Sequence, residues 1–289
     1  MGCRYEFSRD NINKIQTTTV IAANCPEFVH SCLEFIYVKS GMMRISIDGV
    51  CFHVGAGEMA AIASFTPHSS RVTEEGEMYL SMIPRGYVRR YDKTLNEKSF
   101  ENPVVSDPDG YILDVTRLLF RTNGRSDRFG GGTDPAFTDS PELLYDARCR
   151  AAELLVAAAI HSCGLVNRNS GTRNIFGAVS YIDSHFRERL TVSDIAKALY
   201  MNQQSLSSEF REAMGISITN YISRVRIYEV ANLITQDPEI TLTEAAERAG
   251  YQSMRTMLRD FSLEFGTTPG GYRKSETAVP IRHQPYQKT

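Results

Sequence analysis

Two stretches of this chain spell out one helical unit twice, and a duplicated unit leaves few folds open. Leu190 to Tyr221 reads LTVSDIAKALYMNQQSLSSEFREAMGISITNY, and Ile240 to Tyr272 reads ITLTEAAERAGYQSMRTMLRDFSLEFGTTPGGY. Thr191, Asp194 and Ala196 correspond to Thr241, Glu244 and Ala246 at an offset of 50, and Leu206, Phe210, Gly215 and Tyr221 correspond to Met257, Phe261, Gly266 and Tyr272 at 51. Each threonine is placed to cap a helix N-terminus, with an acid three residues on to complete a capping box. The short helix that follows carries the small Ala196 or Ala246 where a second helix must cross closely. That helix begins after a tight turn, at Tyr200-Met201 or Gly250-Tyr251, and buries Leu206 and Phe210, or Met257 and Phe261. Helix, tight turn and second helix is helix-turn-helix grammar, and it leaves the outer face of the second helix free to enter a DNA major groove about 12 Å wide.

Between the units, about residues 218–235 read as one long helix whose Tyr221, Ile222, Val225, Tyr228, Ala231 and Leu233 can bind both. Ile175, Val179, Ile182 and Phe186 form the inner face of a helix that opens the region. With Leu206 and Phe210 inside, Gln203, Gln204, Ser205, Ser207 and Ser208 project outward from the first unit. The corresponding set in the second is Gln252, Ser253, Arg255, Thr256 and Arg259. Gln suits adenine N6/N7 and Arg suits guanine O6/N7, so Gln203, Gln204, Arg255 and Arg259 are the base-reading candidates, while Ser and Thr more often hold phosphates.

These hundred residues resemble the AraC/XylS family of bacterial transcription regulators. The resemblance rests on Ala196 with Leu206-x-x-x-Phe210, on Arg224-x-Arg226 with Ala231, and on the closing run Ala246-x-x-Ala249-Gly250-Tyr251…Phe261-x-x-x-Phe265-Gly266-Thr267-Thr268-Pro269-x-x-Tyr272-Arg273. It implies a seven-helix module that reads successive major-groove faces of double-stranded promoter DNA, RNA polymerase as a partner, and an activator. Two departures stand out. Ser207-Ser208-Glu209 lies where the family often has a basic residue, and Tyr200 stands where a turn glycine is usual.

Upstream, residues 33–84 alternate like consecutive antiparallel strands, and Asp48-Gly49 is a strong signal for a two-residue hairpin turn, which needs positive φ at both positions. Short strands with glycine turns suggest a sandwich or barrel. Glu34, Tyr37, Val38, Gly41, Gly57, Ile62, Pro67 and His68 follow the E-x-x-Y-V-x-x-G…P-H order of the sensor barrel in the same family. That similarity implies a cupin-like barrel or jelly roll holding a small-molecule effector, with His30, Glu34, Tyr37, His53, His68 and Arg71 as candidate contacts. His30, His53, His68, Glu34 and Glu58 also supply metal-binding atoms, which opens the alternative of a metal-dependent cupin enzyme. No H-x-H followed by Glu occurs, however, and no P-loop, nucleophile elbow or dinucleotide fingerprint appears. The chain is therefore read as no enzyme, with no metal and no cofactor. A second alternative is a helical repeat used only as a protein-interaction adaptor.

Asp107-Pro108 opens a helix through Phe120, and a second runs over 142–162 with the stripe Leu143, Leu144, Ala147, Ala151, Leu154, Leu155 and Ala158. Leu143, Leu144, Ala147, Ala151, Leu154 and Leu155 are candidate homodimer contacts. The Gly-rich loop 121–141 joins the two helices; Arg117, Arg121, Arg125 and Arg128 could meet an anion there, but a solvated loop is the simpler reading. Six scattered cysteines without a C-x-x-C pair argue against a disulfide framework or structural zinc, and the longest charge-free apolar run, Leu154 to Ile160, is too short to span a membrane,. A cytoplasmic, non-membrane protein is expected. Its organisation is a multi-domain α and β chain: sensor barrel 1–105, helical dimerisation segment 106–165, linker 166–172, DNA-binding domain 173–275 with units 190–214 and 240–265, and tail 276–289.

Charge alone points away from nucleic acid. The chain carries 32 Lys and Arg against 34 Asp and Glu, a net charge of −2. Even residues 172–275 balance at 12 and 12, so affinity must depend on a few placed arginines and helix N-termini.

Overall fold

A computed structural model describes residues 4–5, 15–22, 24–122, 141–168 and 170–274. The chain forms two compact units, one of residues 12–169 and one of residues 170–289 together with 1–11.

The first unit is built on β1 (Gln16–Val20), β2 (Asn24–Val29), β3 (Leu33–Val38), β4 (Met42–Ile47), β5 (Val50–Gly55), β6 (Glu58–Ile62), β7 (His68–Glu74) and β8 (Met78–Ile83). A short helix α1 (Asp92–Glu97) and strands β9 (Lys98–Phe100) and β10 (Val104–Ser106) follow. Sheet I has the order β10-β6-β3-β8-β1, and β2-β7-β4-β5 run in that order in sheet II, all antiparallel. The strands form two sheets and not one closed barrel. Asp48 and Gly49 adopt φ of 50° and 79°, and Ile47 pairs with Val50 across them, the geometry this turn sequence demands,.

Strand β3 shows how the unit is layered, because all six of its residues are buried. Period-two alternation sends Ile36 and Val38 into a core with Met43, Ile45, Ile47 and Val54 of sheet II,. Leu33, Phe35 and Tyr37 point the other way, against α2 (Tyr111–Thr122) and α3 (Pro141–Cys163), where Val115, Leu119, Leu155 and Val156 complete a second core. Helices α2 and α3 therefore cover sheet I within the same unit. The α3 stripe read from periodicity is split: Ala151 and Leu155 are buried in this core, Leu144 and Ala147 are half-buried, and Leu143 and Leu154 are 60% and 38% exposed. Residues 123–140 of the loop, Arg125 and Arg128 among them, lie outside the described residues, as does the tail.

The stretch read as a linker is partly structured. Leu165–Asn167 form β11, paired with β9, and Arg168 is buried with its Nε donating to Leu95 O at 3.1 Å and Lys98 O at 2.9 Å. Burial pulls the Arg168 guanidinium down to about 10. A helix then begins at Ser170, earlier than expected.

The second unit contains α4 (Ser170–His185), α5 (Val192–Ala198), α6 (Gln203–Met214), α7 (Ile218–Gln236), α8 (Leu242–Arg248), α9 (Met254–Phe265) and α10 (Pro269–Lys274), seven helices among the described residues. Tyr5, from the chain's first eleven residues, sets its ring edge-on to Tyr221 at 5.5 Å. No helix among the described residues is long and apolar enough to cross a membrane.

Candidate nucleic-acid interface

The repeat is built as two superposable local structures. Helices α5 and α8 are offset by 50 residues and α6 and α9 by 51, so the extra residue falls in the second turn. Both turns close with the same paired bonds: Tyr200 N to Lys197 O and Met201 N to Ala196 O, then Gly250 N to Glu247 O and Tyr251 N to Ala246 O,. Tyr200 and Gly250 both take positive φ, 55° and 84°. The turn therefore imposes the left-handed conformation even where the sequence offers no glycine.

Caps fix the starts of the helices. Thr191 and Asp194 form a complete capping box on α5. On α8 only half of it forms: Thr241 accepts from Glu244 N, while the Glu244 carboxylate takes Arg248 at 2.6 Å. Asn202 caps α6 by accepting from Gln204 N and Ser205 N, and Ser253 caps α9 by accepting from Thr256 N. Leu206, Phe210, Met257 and Phe261 are fully buried, as expected of inner-face residues.

The outer faces carry the candidate readers. Gln203, Gln204, Ser205 and Ser208 are exposed, while Ser207 is half-buried with its hydroxyl donating to Gln203 O at 2.8 Å. On the second face Gln252, Ser253, Arg255 and Arg259 are exposed and Thr256 is half-buried. Because the recognition helices are offset by 51, Gln204 and Ser208 occupy the places of Arg255 and Arg259. Side-chain chemistry thus differs between two equivalent surfaces. Arg259 is not a loose cation: its Nε and Nη2 both donate to Asp260 Oδ1, at 3.1 and 2.9 Å. Asp260 also lies 3.3 Å from the Tyr251 hydroxyl, whose ionisation is pushed up by burial and then by Asp260. Sequence reading missed Asp260 and Asn202 as positioning residues; the acid directly after Arg259 was the available signal.

Helix α7 joins the two helix-turn-helix repeats through the arginines that carry the resemblance. Arg226 donates from Nε to Phe186 O and from Nη2 to Glu188 O, both at 2.7 Å, just beyond α4. Arg224 pairs with Glu264 of α9 at 3.1 Å, and the Tyr228 hydroxyl donates to the same carboxylate at 3.0 Å. Tyr221 meets Phe210 of α6 edge-on, and Tyr228 meets Phe265 of α9. One helix therefore sets the separation of both recognition helices.

The candidate effector residues fall in several places. Tyr37 is buried beneath the helices, its phenol pushed up to about 12 by burial and then by Asp107. His53 and Arg71 are exposed on sheet II, in one cross-strand row with Arg44. Arg71 lines an open groove of about 580 Å³ with Asn24, Arg44, Ser46, Cys51 and Ser70. His30, Glu34 and His68 come together inside, the first two hydrogen-bonded at 2.9 Å. Burial alone would raise the Glu34 carboxyl, but His30 and His68 hold it well below the usual range. Glu58 is elsewhere, accepting from Gly55 N at 2.8 Å.

Residues 195–275 match the helix-turn-helix domain family. YobQ of Bacillus subtilis, an uncharacterized HTH-type transcriptional regulator, is 32% identical over 151 residues, covering 51% of this chain and 61% of its own length. The Msm operon regulatory protein of Streptococcus mutans is 30% identical over 144 residues, 48% of this chain and 51% of its own. The chain thus spans less than two thirds of these curated relatives. Among solved structures, a protein of unknown function from Listeria innocua is 31% identical over 33% of this chain and 90% of its own, with a TM-score of 0.32.

Proposed function

Because residues 195–275 match the helix-turn-helix domain family, and their closing run resembles that of AraC/XylS regulators, we propose that the protein is a sequence-specific DNA-binding transcription regulator and not an enzyme. The observation that carries this reading is the pair of equivalent outward helix faces, one presenting Gln203 and Gln204, the other Arg255 and Arg259, held at one spacing by α7. A base-edge contact from either arginine is worth about 1–3 kcal/mol against the wrong base. Asp260 fixes the Arg259 fork in advance, which lowers the entropic cost of that contact.

The finer parts of the reading rest on the resemblance and on two surfaces. The protein acts in the cytoplasm as an activator alongside RNA polymerase, under control of a small molecule held by the sandwich unit, for which the Arg44 and Arg71 groove offers a polar surface. It works as a homodimer, for which Leu143 and Leu154, eleven residues apart and so on one side of α3, offer exposed apolar area,.

Selection of binding sites from a random duplex library by the full chain tests the core of the proposal. The expected result is enrichment of a two-part site whose halves lie about one helical turn apart. Arg255→Ala with Arg259→Ala is expected to relax one half of the site and leave the other. Failure to enrich any sequence at low salt would refute the reading.

A further inference from the structure

The interior of the sandwich unit holds a cluster that the DNA-reading surface does not use. His30 lies between β2 and β3, Glu34 on β3 and His68 at the start of β7, and all three are buried with their ligand atoms within 4.8 Å of one another. Sequence spacing alone had argued against a metal here, because no H-x-H precedes the glutamate. Antiparallel register supplies what spacing could not: Phe28 pairs with His68, which brings the start of β7 beside the end of β2 and so beside His30.

Ring orientation shows where the lone pairs point. His30 Nδ1 is 3.1 Å from Cys32 O, and His68 Nδ1 is 2.8 Å from Thr66 O. A carbonyl oxygen only accepts, so each Nδ1 carries a proton, and in a neutral ring Nε2 is then an acceptor. Both Nε2 atoms face Glu34 Oε2, at 2.9 Å from His30 and 3.5 Å from His68. Acceptors that converge away from water need a proton or a metal ion between them. A proton on His30 serves one edge only, and His68 Nε2 makes no hydrogen bond.

Two further observations favour a metal. Imidazole ligands characteristically donate their second nitrogen to a backbone carbonyl or carboxylate, which fixes the ring, and both histidines are held in that way. Metal–ligand bonds of about 2.0–2.2 Å at angles between octahedral and tetrahedral put neighbouring ligand atoms about 2.8–3.6 Å apart, the range in which the 2.9 and 3.5 Å edges to Glu34 fall. The loop that presents His68 also holds His30: Phe65 donates its N–H to His30 O at 2.8 Å from a left-handed conformation, φ 57°, that an aromatic residue rarely adopts,.

We propose that His30, Glu34 and His68 bind one divalent first-row transition-metal ion inside the sandwich unit. Two imidazoles and one carboxylate suit Zn²⁺, Co²⁺ or Fe²⁺, whereas Mg²⁺ and Ca²⁺ prefer all-oxygen ligands. Three protein ligands leave coordination positions for water or an effector group. The three ligands belong to the sandwich unit and the DNA-reading residues to the helical unit, so the test of the site needs no DNA.

The full chain, stripped with a chelator and dialysed, is titrated with Co²⁺ alone and followed by visible absorption and bound-metal analysis. One equivalent per chain is expected, with the absorption bands of low-coordinate Co²⁺, displacement by Zn²⁺ and a raised melting temperature. Glu34→Gln and His68→Gln are each expected to weaken uptake at least tenfold, while His161→Gln, exposed in the last turn of α3, leaves it unchanged. Sub-stoichiometric uptake by the wild-type chain, or equal affinity in folded Glu34→Gln protein, overturns the proposal. Either negative result leaves the regulator reading standing, because that reading is judged by DNA selection.

Discussion

Gly250→Ala is expected to destabilise the helical unit by about 3 kcal/mol, whereas Tyr200→Gly, at the same place in the first repeat, stabilises it by about 0.5–1 kcal/mol. A Cβ on Gly250 would lie 2.6 Å from Phe186 O and 2.8 Å from both Cα and O of Arg187, all backbone atoms. Phe186 O cannot simply withdraw, since it accepts from Arg226 Nε at 2.7 Å. A left-handed φ costs an L-residue about 1–2 kcal/mol, and forcing a methyl group into packed backbone adds about 1–3 kcal/mol. Tyr200 bears the first cost already at φ 55°, and its side chain is 99% exposed, so removing it sacrifices no burial. Glycine relieves that strain but returns about 0.4–1 kcal/mol through the freer unfolded chain. Urea unfolding followed by far-UV circular dichroism measures both, the chain having no tryptophan to follow. If Gly250→Ala stays within about 0.5 kcal/mol of wild type, the level of an ordinary surface change, the close approach to Phe186 is wrong. If Tyr200→Gly destabilises, the left-handed turn is wrong.

Other changes probe the linker helix and the sandwich. Glu264→Met leaves Arg224 without its acid and Tyr228 without its acceptor, at a cost of about 3 kcal/mol, while Arg224→Met combined with Glu264→Met recovers most of it; urea midpoints decide,. Asp107 accepts from Ile112 N at 3.0 Å and Leu113 N at 2.9 Å, so Asp107→Ala loses about 1–2 kcal/mol from the start of α2,. The same change removes only the Asp107 contribution and so lowers the Tyr37 phenol from about 12 while burial still holds it above 10, read by ultraviolet titration. Since the folded value is the raised one, the Tyr37 contribution to stability is complete below pH 10 and is lost as pH rises toward 12,.

Local signals in the sequence were translated faithfully into structure. The Asp48-Gly49 turn, the threonine caps, Gly215 and Gly266 at φ 67° and 66°, and the one-residue insertion within the second turn all follow from neighbouring residues. What stayed hidden depends on partners far along the chain. The stripe on α3 has a helical period that says nothing about what covers it, and sheet I takes Ala151 and Leu155. Residues 166–167 looked like a linker because their partner strand lies at 98–100. His30, Glu34 and His68 meet only through the pairing of β2 with β7, a register that no spacing motif records.

The balanced charge of the helical unit acquires a structural meaning from where its cations are spent. Arg187 pairs with Glu229, Arg224 with Glu264, Arg248 with Glu244 and Arg259 with Asp260, while Arg226 and Arg273 donate to backbone carbonyls. Six of the 12 therefore hold the fold or orient a neighbour. Among the described residues Arg173, Arg189, Lys197, Arg211, Arg255 and Lys274 are outside such ion pairs and carbonyl contacts, which bounds the phosphates one module can neutralise. With a slope of about −0.9 per phosphate, log affinity against log salt should fall no more steeply than about −5 for each bound module. A steeper slope, measured on the selected site, would mean that the internal pairs open on DNA. Opening the exposed Arg187, Arg248 and Arg259 pairs would extend the slope to about −8 with α7 intact, and only a slope beyond that would free the arginines of α7 and with them the constant separation of the two recognition helices,.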